Sequence, residues 1–345
     1  MTETKPRRPD VLRVALAGAG MISQHHLIAW SRLGNRAKVV AIADPDGARA
    51  ALRAESFDIP AVYTDVAAML AAERVDAIDI ASPRETHARN VEYAVSRGID
   101  ILCQKPLAPT LALSEALVRG IAGRVRLMVH ENWRFRPWYR KIRQWLDDGA
   151  IGRLLLGNLV FLSSGLLPDA DGNRPALVRQ PFMAQEPRLL IAETMIHQID
   201  VVRWLMGPLR VVAARASRSI DEVKGETLST IFMETADGAP VIVTGAMAAP
   251  GFPPSSRDRF ELVGTSASAV LAGTELKLLG PRPETLQYDF DQAYQSSFDE
   301  TIAHFVDCLE SGAPFETDPA DNLETLRLVE HSYWAAGLHD PAVGP

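Results

Sequence analysis

The sequence predicts an α/β protein: an N-terminal doubly wound parallel sheet, then an α+β domain on a large, mostly antiparallel sheet. Three observations carry this. Up to residue 130, short and almost wholly apolar runs alternate with helical periodicities, as in a parallel sheet buried on both faces. After residue 150 strand-like runs follow one another with few helices between them, the order of an antiparallel sheet. A glycine turn, Gly18-Ala19-Gly20, ends the first run and opens the first helix, the place where doubly wound sheets bind ligands.

In order, the first half reads as strand RVALAG, helix 22–33, strand VVAIAD, helix 48–55, strand AIDIAS, helix 86–97, strand DILCQ, helix 111–122 and strand VRLMVH. The pattern then changes to a helix over 138–146, a turn between Gly149 and Gly152, and a long strand from Leu154. A helix over 189–205 stops at Gly207-Pro208, a cap followed by a breaker. Five strands follow, VVAARASR, TLSTIFMET, PVIVTGAM, RFELVG and ELKLLG, the second and third joined by the hairpin signal Asp237-Gly238. Helices over 297–310 and from Asp318-Pro319 close the chain. Residues 163–187 show no periodicity and read as a long loop, either functional, as a lid or partner contact, or mobile. With 345 residues, two domains are expected, 10–129 and 130–345.

Composition excludes several classes. Hydrophobic residues at 47% and charged residues at 23% are ordinary for a globular protein. A net charge of −7, with Lys and Arg scattered, disfavours a nucleic-acid partner. The polar first ten residues lack the apolar run of a signal peptide, and no stretch is long and apolar enough to span a membrane, so a cytoplasmic protein with no membrane partner is expected. Cys103 and Cys308 stand alone without metal-ligand spacing, which suggests free thiols and no metal site. His130-Glu131 would need His at position 134 to form a zinc motif, and Arg134 is there.

Gly18 suits a tight turn, and Gly20 lets a pyrophosphate approach the backbone at Met21 and Ile22, on the N-terminus of the first helix. Asp44, closing the second strand, can accept hydrogen bonds from the adenosine ribose and would repel a 2′-phosphate. NAD is therefore expected over NADP, with Arg49 the one nearby residue that argues otherwise. Two more loops leave strand ends: Ser82-Pro83, running through Thr86 to His87, and Gln104-Lys105-Pro106. Both join the expected cofactor site, with Lys105 facing the nicotinamide.

On the helix over 189–205, Glu193, His197 and Asp200 are spaced i, i+4, i+7 and share one face with Trp204. Oxidation of an alcohol requires a base for its hydroxyl proton, and His197 fits that role. Trp133 and Arg134 are candidate substrate contacts beside Glu193, His197 and Asp200. His25, His26 and the remaining histidines read as ordinary helix or surface residues.

Gly18-x-Gly20, Ser82-Pro83 to His87, Lys105-Pro106, His130-Glu131-Asn132-Trp133-Arg134-Phe135-x-Pro137 and Glu193-x-x-x-His197-x-x-Asp200 occur in one order along nearly the whole chain. That order resembles the glucose-fructose oxidoreductase, inositol dehydrogenase and rhizopine-catabolism family, written Gfo/Idh/MocA. The resemblance implies that Lys105 orients the substrate hydroxyl and nicotinamide ribose, and that Glu193 and His197 stand for the family's Asp-x-x-x-His proton acceptor. Two residues depart from the family pattern: Gln104 replaces its usual Glu, and Glu193 its usual Asp.

The implied activity is NAD-dependent oxidation of a hydroxyl or hemiacetal on a small neutral sugar or polyol. The chain looks most similar to pentose dehydrogenases of the D-apiose type, which form a lactone. Redox-assisted glycosidase or epimerase chemistry, and a non-catalytic NAD-sensing regulator, are the alternatives. An uncovered face of the second sheet points to a homodimer or homotetramer.

Overall fold

A computed structural model describes residues 11–338, which fall into two units. The first runs through Asn132 and includes Gln295–Leu323; the second comprises Trp133–Tyr294 and the residues from Glu324 on.

The first unit carries the alternating apolar runs as strands β1 (Leu12–Ala17), β2 (Ala37–Ala43), β3 (Ala61–Tyr63), β4 (Ala77–Ile80), β5 (Asp100–Gln104) and β6 (Leu127–His130). All pair in parallel, in the order β3-β2-β1-β4-β5-β6. Helices α1 (Ser23–Arg32), α2 (Gly47–Ser56), α3 (Val66–Ala72), α4 (His87–Ser96) and α5 (Leu111–Ile121) connect them. Ala15, Ile78, Ile80, Ile101 and Val129 are buried in one core cluster, as two-sided burial demands. Sequence reading missed β3, a three-residue edge strand, and α3, whose alanine-rich turns show little periodicity.

Residues 295–323 were expected in the second domain, and here the structure differs. Thr317 donates its hydroxyl to the Val129 carbonyl at 2.6 Å and accepts the Val129 N–H at 2.8 Å. Phe305 packs edge-on to Trp30 and stacks on Phe315. A segment that returns to a sheet from so far along the chain leaves no local signal.

The second unit holds helices α6 (Pro137–Asp147), α7 (Pro175–Arg179) and α8 (Ile196–Met206), and an eight-stranded sheet. Its strands are β7 (Leu154–Leu162), β8 (Leu209–Ser217), β9 (Leu228–Thr235), β10 (Pro240–Ala246), β11 (Arg259–Gly264), β12 (Ser268–Ala272), β13 (Glu275–Leu279) and β14 (Glu284–Gln287). They are ordered β14-β13-β12-β11-β7-β10-β9-β8, and only β7 and β10 pair in parallel. The Asp237-Gly238 hairpin joins β9 to β10 as expected, with Gly238 at φ 86°.

One row across the sheet, Ile231, Val243, Leu159, Phe260, Leu271 and Leu276, is fully buried. The opposite face carries half-buried side chains, the period-two alternation of a sheet covered on one side. Helix α8 lies over the buried face because glycines admit it. A Cβ on Gly157 would stand 2.4 Å from the Met206 sulfur, and one on Gly245 would stand 2.5 Å from that of Met195.

Three details differ from expectation. The helix expected over 189–205 is a π-turn, Leu190–Met195, followed by α8. The region 163–187 contains α7 and a short 3-10 turn, Pro181–Ala184. Helix α9 (Phe290–Ser311) starts seven residues earlier than expected, whereas α10 (Pro319–Ala335) opens at the expected proline. No described helix is long and apolar enough to cross a membrane.

Candidate active site

The tips of β1, β2, β4 and β5 form the dinucleotide cradle of the first unit. Gly18 has φ 103°, and a Cβ there would strike the Ala81 carbonyl oxygen at 2.7 Å, so only glycine suits this turn. A Cβ on Gly20 would meet nothing within 4 Å, which leaves room over the start of α1 for a diphosphate. Met21 is partly exposed beside that space, next to Ile22, the N-cap of α1. Ser23, in place of the motif's third small residue, is fully buried and donates to the Gly20 carbonyl at 2.6 Å.

Asp44 accepts from the Ala19 N–H at 2.8 Å and the Asp46 N–H at 2.9 Å, one on each carboxylate oxygen. Each oxygen keeps a lone pair for a ribose hydroxyl. A depression of about 370 Å³ opens beside Gly20 and Met21, lined also by Arg49 and Arg53. Arg49 pairs with Asp46 at 3.2 Å, and Arg53 donates to Gln24 at 3.1 Å. The cradle thus fits a dinucleotide on its own geometry.

The two neighbouring loops are tied to each other. Ser82 and Thr86 share a hydroxyl hydrogen bond at 2.7 Å, and Thr86 donates to the Pro83 carbonyl at 2.7 Å. His87, expected to face the cofactor, is buried, with its ring nitrogens each 2.9 Å from a carbonyl oxygen, those of Pro106 and Ser82. It links the two loops. Gln104 directs its amide inward, toward His26 and His130, while Lys105 follows at the tip of β5 and is half-buried. His26, read from sequence as ordinary, is fully buried and bonded to Asp79 at 2.8 Å.

In the second unit Glu193 lies in the π-turn and His197 in the first turn of α8, and both are buried. The His197 ring stacks on Trp133 at 4.2 Å and 12°. The Arg136 guanidinium stands 3.5 Å from the Trp133 ring centre. Two groups that close to one ring centre require opposite faces, so the indole is covered on both sides and serves as a backing plate for His197. Asp258 holds the arrangement, accepting from Trp133 Nε1 at 3.1 Å, Tyr139 Oη at 2.7 Å and Gln198 Nε2 at 3.1 Å.

Arg134 and Asp200, expected to touch substrate, are buried and bonded to each other, with Arg134 Nε donating to Asp200 at 2.8 Å. Thr325 donates to the same carboxylate at 2.9 Å. Burial of Asp200 favours its neutral form, but Arg134, Arg203 and Thr325 outweigh it and hold the carboxyl below its usual range. Asp200, read from the spacing as facing substrate, is instead bonded within the second unit.

Glu226 had no sequence signal. Its carboxylate accepts from Leu189 N at 3.2 Å, Ile191 N at 2.9 Å and Tyr333 Oη at 2.6 Å, closing the free N–H groups where the π-turn begins. Burial, then the charge of Glu226, pushes the Tyr333 hydroxyl well above its usual range, so it stays a donor. Cys103 and Cys308 are both buried free thiols. Among the described residues no group of three or more His, Cys, Asp or Glu is arranged to hold a metal ion.

Comparison with known proteins places this geometry. Residues 12–130 match "Oxidoreductase family, NAD-binding Rossmann fold", and residues 139–270 match "GFO/IDH/MocA C-terminal domain". The chain is 33% identical over 340 residues to a D-apiose dehydrogenase of Paraburkholderia graminis, covering 93% of this chain and 87% of that one. It is 30% identical over 309 residues to inositol 2-dehydrogenase 4 of Saccharopolyspora erythraea, covering 87% and 86%. An oxidoreductase from Agrobacterium radiobacter, solved with NAD+, L-tartaric acid and magnesium, superposes with a TM-score of 0.88 at 30% identity, over 94% of this chain and 96% of that one. With both halves matched and the cradle built for a dinucleotide, the chain belongs to the Gfo/Idh/MocA family of NAD-dependent oxidoreductases.

Proposed function

We propose that this enzyme oxidises a hydroxyl or hemiacetal of a small neutral sugar or polyol, with a pentose such as D-apiose, taken to its lactone, as the first substrate to test. The observation that carries the reading is the buried His197 imidazole, backed by Trp133 and one helical turn from the Glu193 carboxylate. The pentose is suggested by the D-apiose dehydrogenases of Paraburkholderia graminis and Rhizobium rhizogenes, 33% and 31% identical to this chain.

Bound NAD supplies the acceptor for the hydride that leaves the substrate carbon. His197 takes the proton from the reacting hydroxyl. Lys105 stabilises the negative charge that develops on that oxygen as the proton departs, and Glu193 orients the imidazole and favours its protonated form after transfer. Arg134 and Asp200 act from within the second unit by holding α8 in place. The enzyme acts as a homodimer or homotetramer in the cytoplasm.

The test is NADH formation at 340 nm across pentoses, hexoses and inositols, with wild type and His197→Ala. Replacing His197 should lower kcat by about 10²- to 10⁴-fold while NAD still binds. Unchanged turnover in that variant removes His197 from the mechanism. Product appearing without net NADH would instead indicate NAD recycled on one substrate, and NAD binding with no turnover on any sugar would favour a sensing role.

A further inference from the structure

We propose that Gln104 is a positioning residue for Lys105: its carboxamide, oriented by the Lys105 backbone, holds two buried neutral imidazoles and so fixes the strand end that carries the lysine. The proposal rests on the reading of Lys105 as a residue that touches the substrate.

The Lys105 backbone N–H only donates, and it donates to Gln104 Oε1 at 3.1 Å. With the amide oxygen fixed there, the Gln104 NH₂ group must face the other way. It lies 2.9 Å from His26 Nε2 and 3.2 Å from His130 Nδ1. Each ring nitrogen must therefore offer a lone pair. His26 then carries its proton on Nδ1, which donates to Asp79 at 2.8 Å, and His130 carries its proton on Nε2.

Both imidazoles are fully buried and stack on each other at 4.3 Å, with Phe298 packed against both. Two cations so placed, away from water, would repel. Trp30 Nε1 donates to the same Asp79 oxygen at 2.7 Å, so Asp79 receives two hydrogen bonds without requiring a charged His26. One backbone N–H thereby determines the proton positions along Asp79, His26, Gln104 and His130.

This row gives a physical role to the residue that departs from the family pattern. Glutamate at position 104 could accept from Lys105 N, but it has no hydrogens for the two imidazoles. Its second oxygen would face two lone pairs unless His130 moved its proton from Nε2 to Nδ1 or one ring took a second proton. A methionine of similar size would satisfy none of the three partners. An amide of this length matches one donor and two acceptors together.

The test uses the full chain labelled with ¹⁵N-histidine. Wild type should show His26 as the Nδ1–H tautomer and His130 as the Nε2–H tautomer, both neutral. In Gln104→Glu at least one ring should gain a proton on the nitrogen that faces residue 104, seen as the His130 Nδ1–H tautomer or as a ring protonated on both nitrogens. Gln104→Met should lower kcat by about 10²-fold through misplacement of Lys105, while the NAD Kd shifts by less than about threefold. The opposite tautomers in wild type, or a charged His26, overturn the lock whatever the turnover. Wild-type kcat in Gln104→Met overturns the positioning role. Lys105→Met turning over normally overturns the catalytic reading of the lysine, and the role of Gln104 with it, while the histidine spectra still judge the lock by itself.

Discussion

Arg134 and Asp200 show what single residues do at the helix that bears His197. The pair is 1% and 0% exposed, with Thr325 and Arg203 adding a hydrogen bond and a second positive charge. Replacing a buried pair together can be neutral, but removing one partner leaves a charge stranded in the interior. Arg134→Met should lose about 3–5 kcal/mol of stability in urea unfolding, and a loss under about 1 kcal/mol would argue against the buried tie. The pH dependence has a definite sign. The Asp200 carboxyl titrates below its usual range in the folded protein, so the native state binds fewer protons than the unfolded chain. Its contribution is present above the unfolded value of about 4 and is lost as pH falls through the lower folded value. Wild type should therefore lose stability at this site only in acid, measured as the urea midpoint against pH, and Arg134→Met should lack that acid step.

At the scale of elements, the start of the helix bearing His197 depends on a cap from elsewhere in the chain. The Glu226 carboxylate serves two backbone N–H groups and the Tyr333 hydroxyl. Glu226→Ala leaves three buried donors without it, at a cost of about 1–3 kcal/mol each before relaxation. The expected result is lower urea stability with faster amide exchange at Leu189 and Ile191, and unchanged exchange there would show that the cap is dispensable. Such a partner is invisible in sequence, because Glu226 meets Leu189 only once the sheet has formed. Gly18, Asp44 and Lys105 were legible for the opposite reason: each sits where a strand becomes a turn, a local event with a local signature. The i, i+4 spacing of Glu193 and His197 was legible too, and it concealed the π-turn because the spacing alone does not distinguish a wider turn. Asp79 and Asp258 remained hidden because their partners His26, Trp133 and Gln198 come from distant segments. The strand β3 carries too few residues to show a period.

At the scale of the whole molecule, two successive sheets were legible, while the return of residues 295–323 to the first unit was not. The second sheet also carries the expectation of assembly. On its half-buried face, Phe232, Ile242, Asn158, Glu261, Val270 and Lys277 run across six strands in register, flanked by Val160, Leu156 and Val263. Seven strand spacings and strands of about six residues give a face of about 34 by 20 Å, roughly 700 Å². That is close to the roughly 800 Å² per partner of a stable dimer. Its composition suits a second copy of itself: branched and aromatic side chains interrupted by internally paired charges. Glu261 is held by Arg259 at 2.7 Å and by Asn158 at 3.3 Å, with its carboxyl below the usual range because of those hydrogen bonds. Such a pair can be covered with less penalty than a lone charge. Light scattering at micromolar concentration should give a dimer or tetramer, and Phe232→Glu, which sets new charges in the central row, should give monomers with an unchanged far-ultraviolet circular dichroism spectrum. A monomeric wild type, or a Phe232→Glu variant that still assembles, would mean that this face does not hold the copies together.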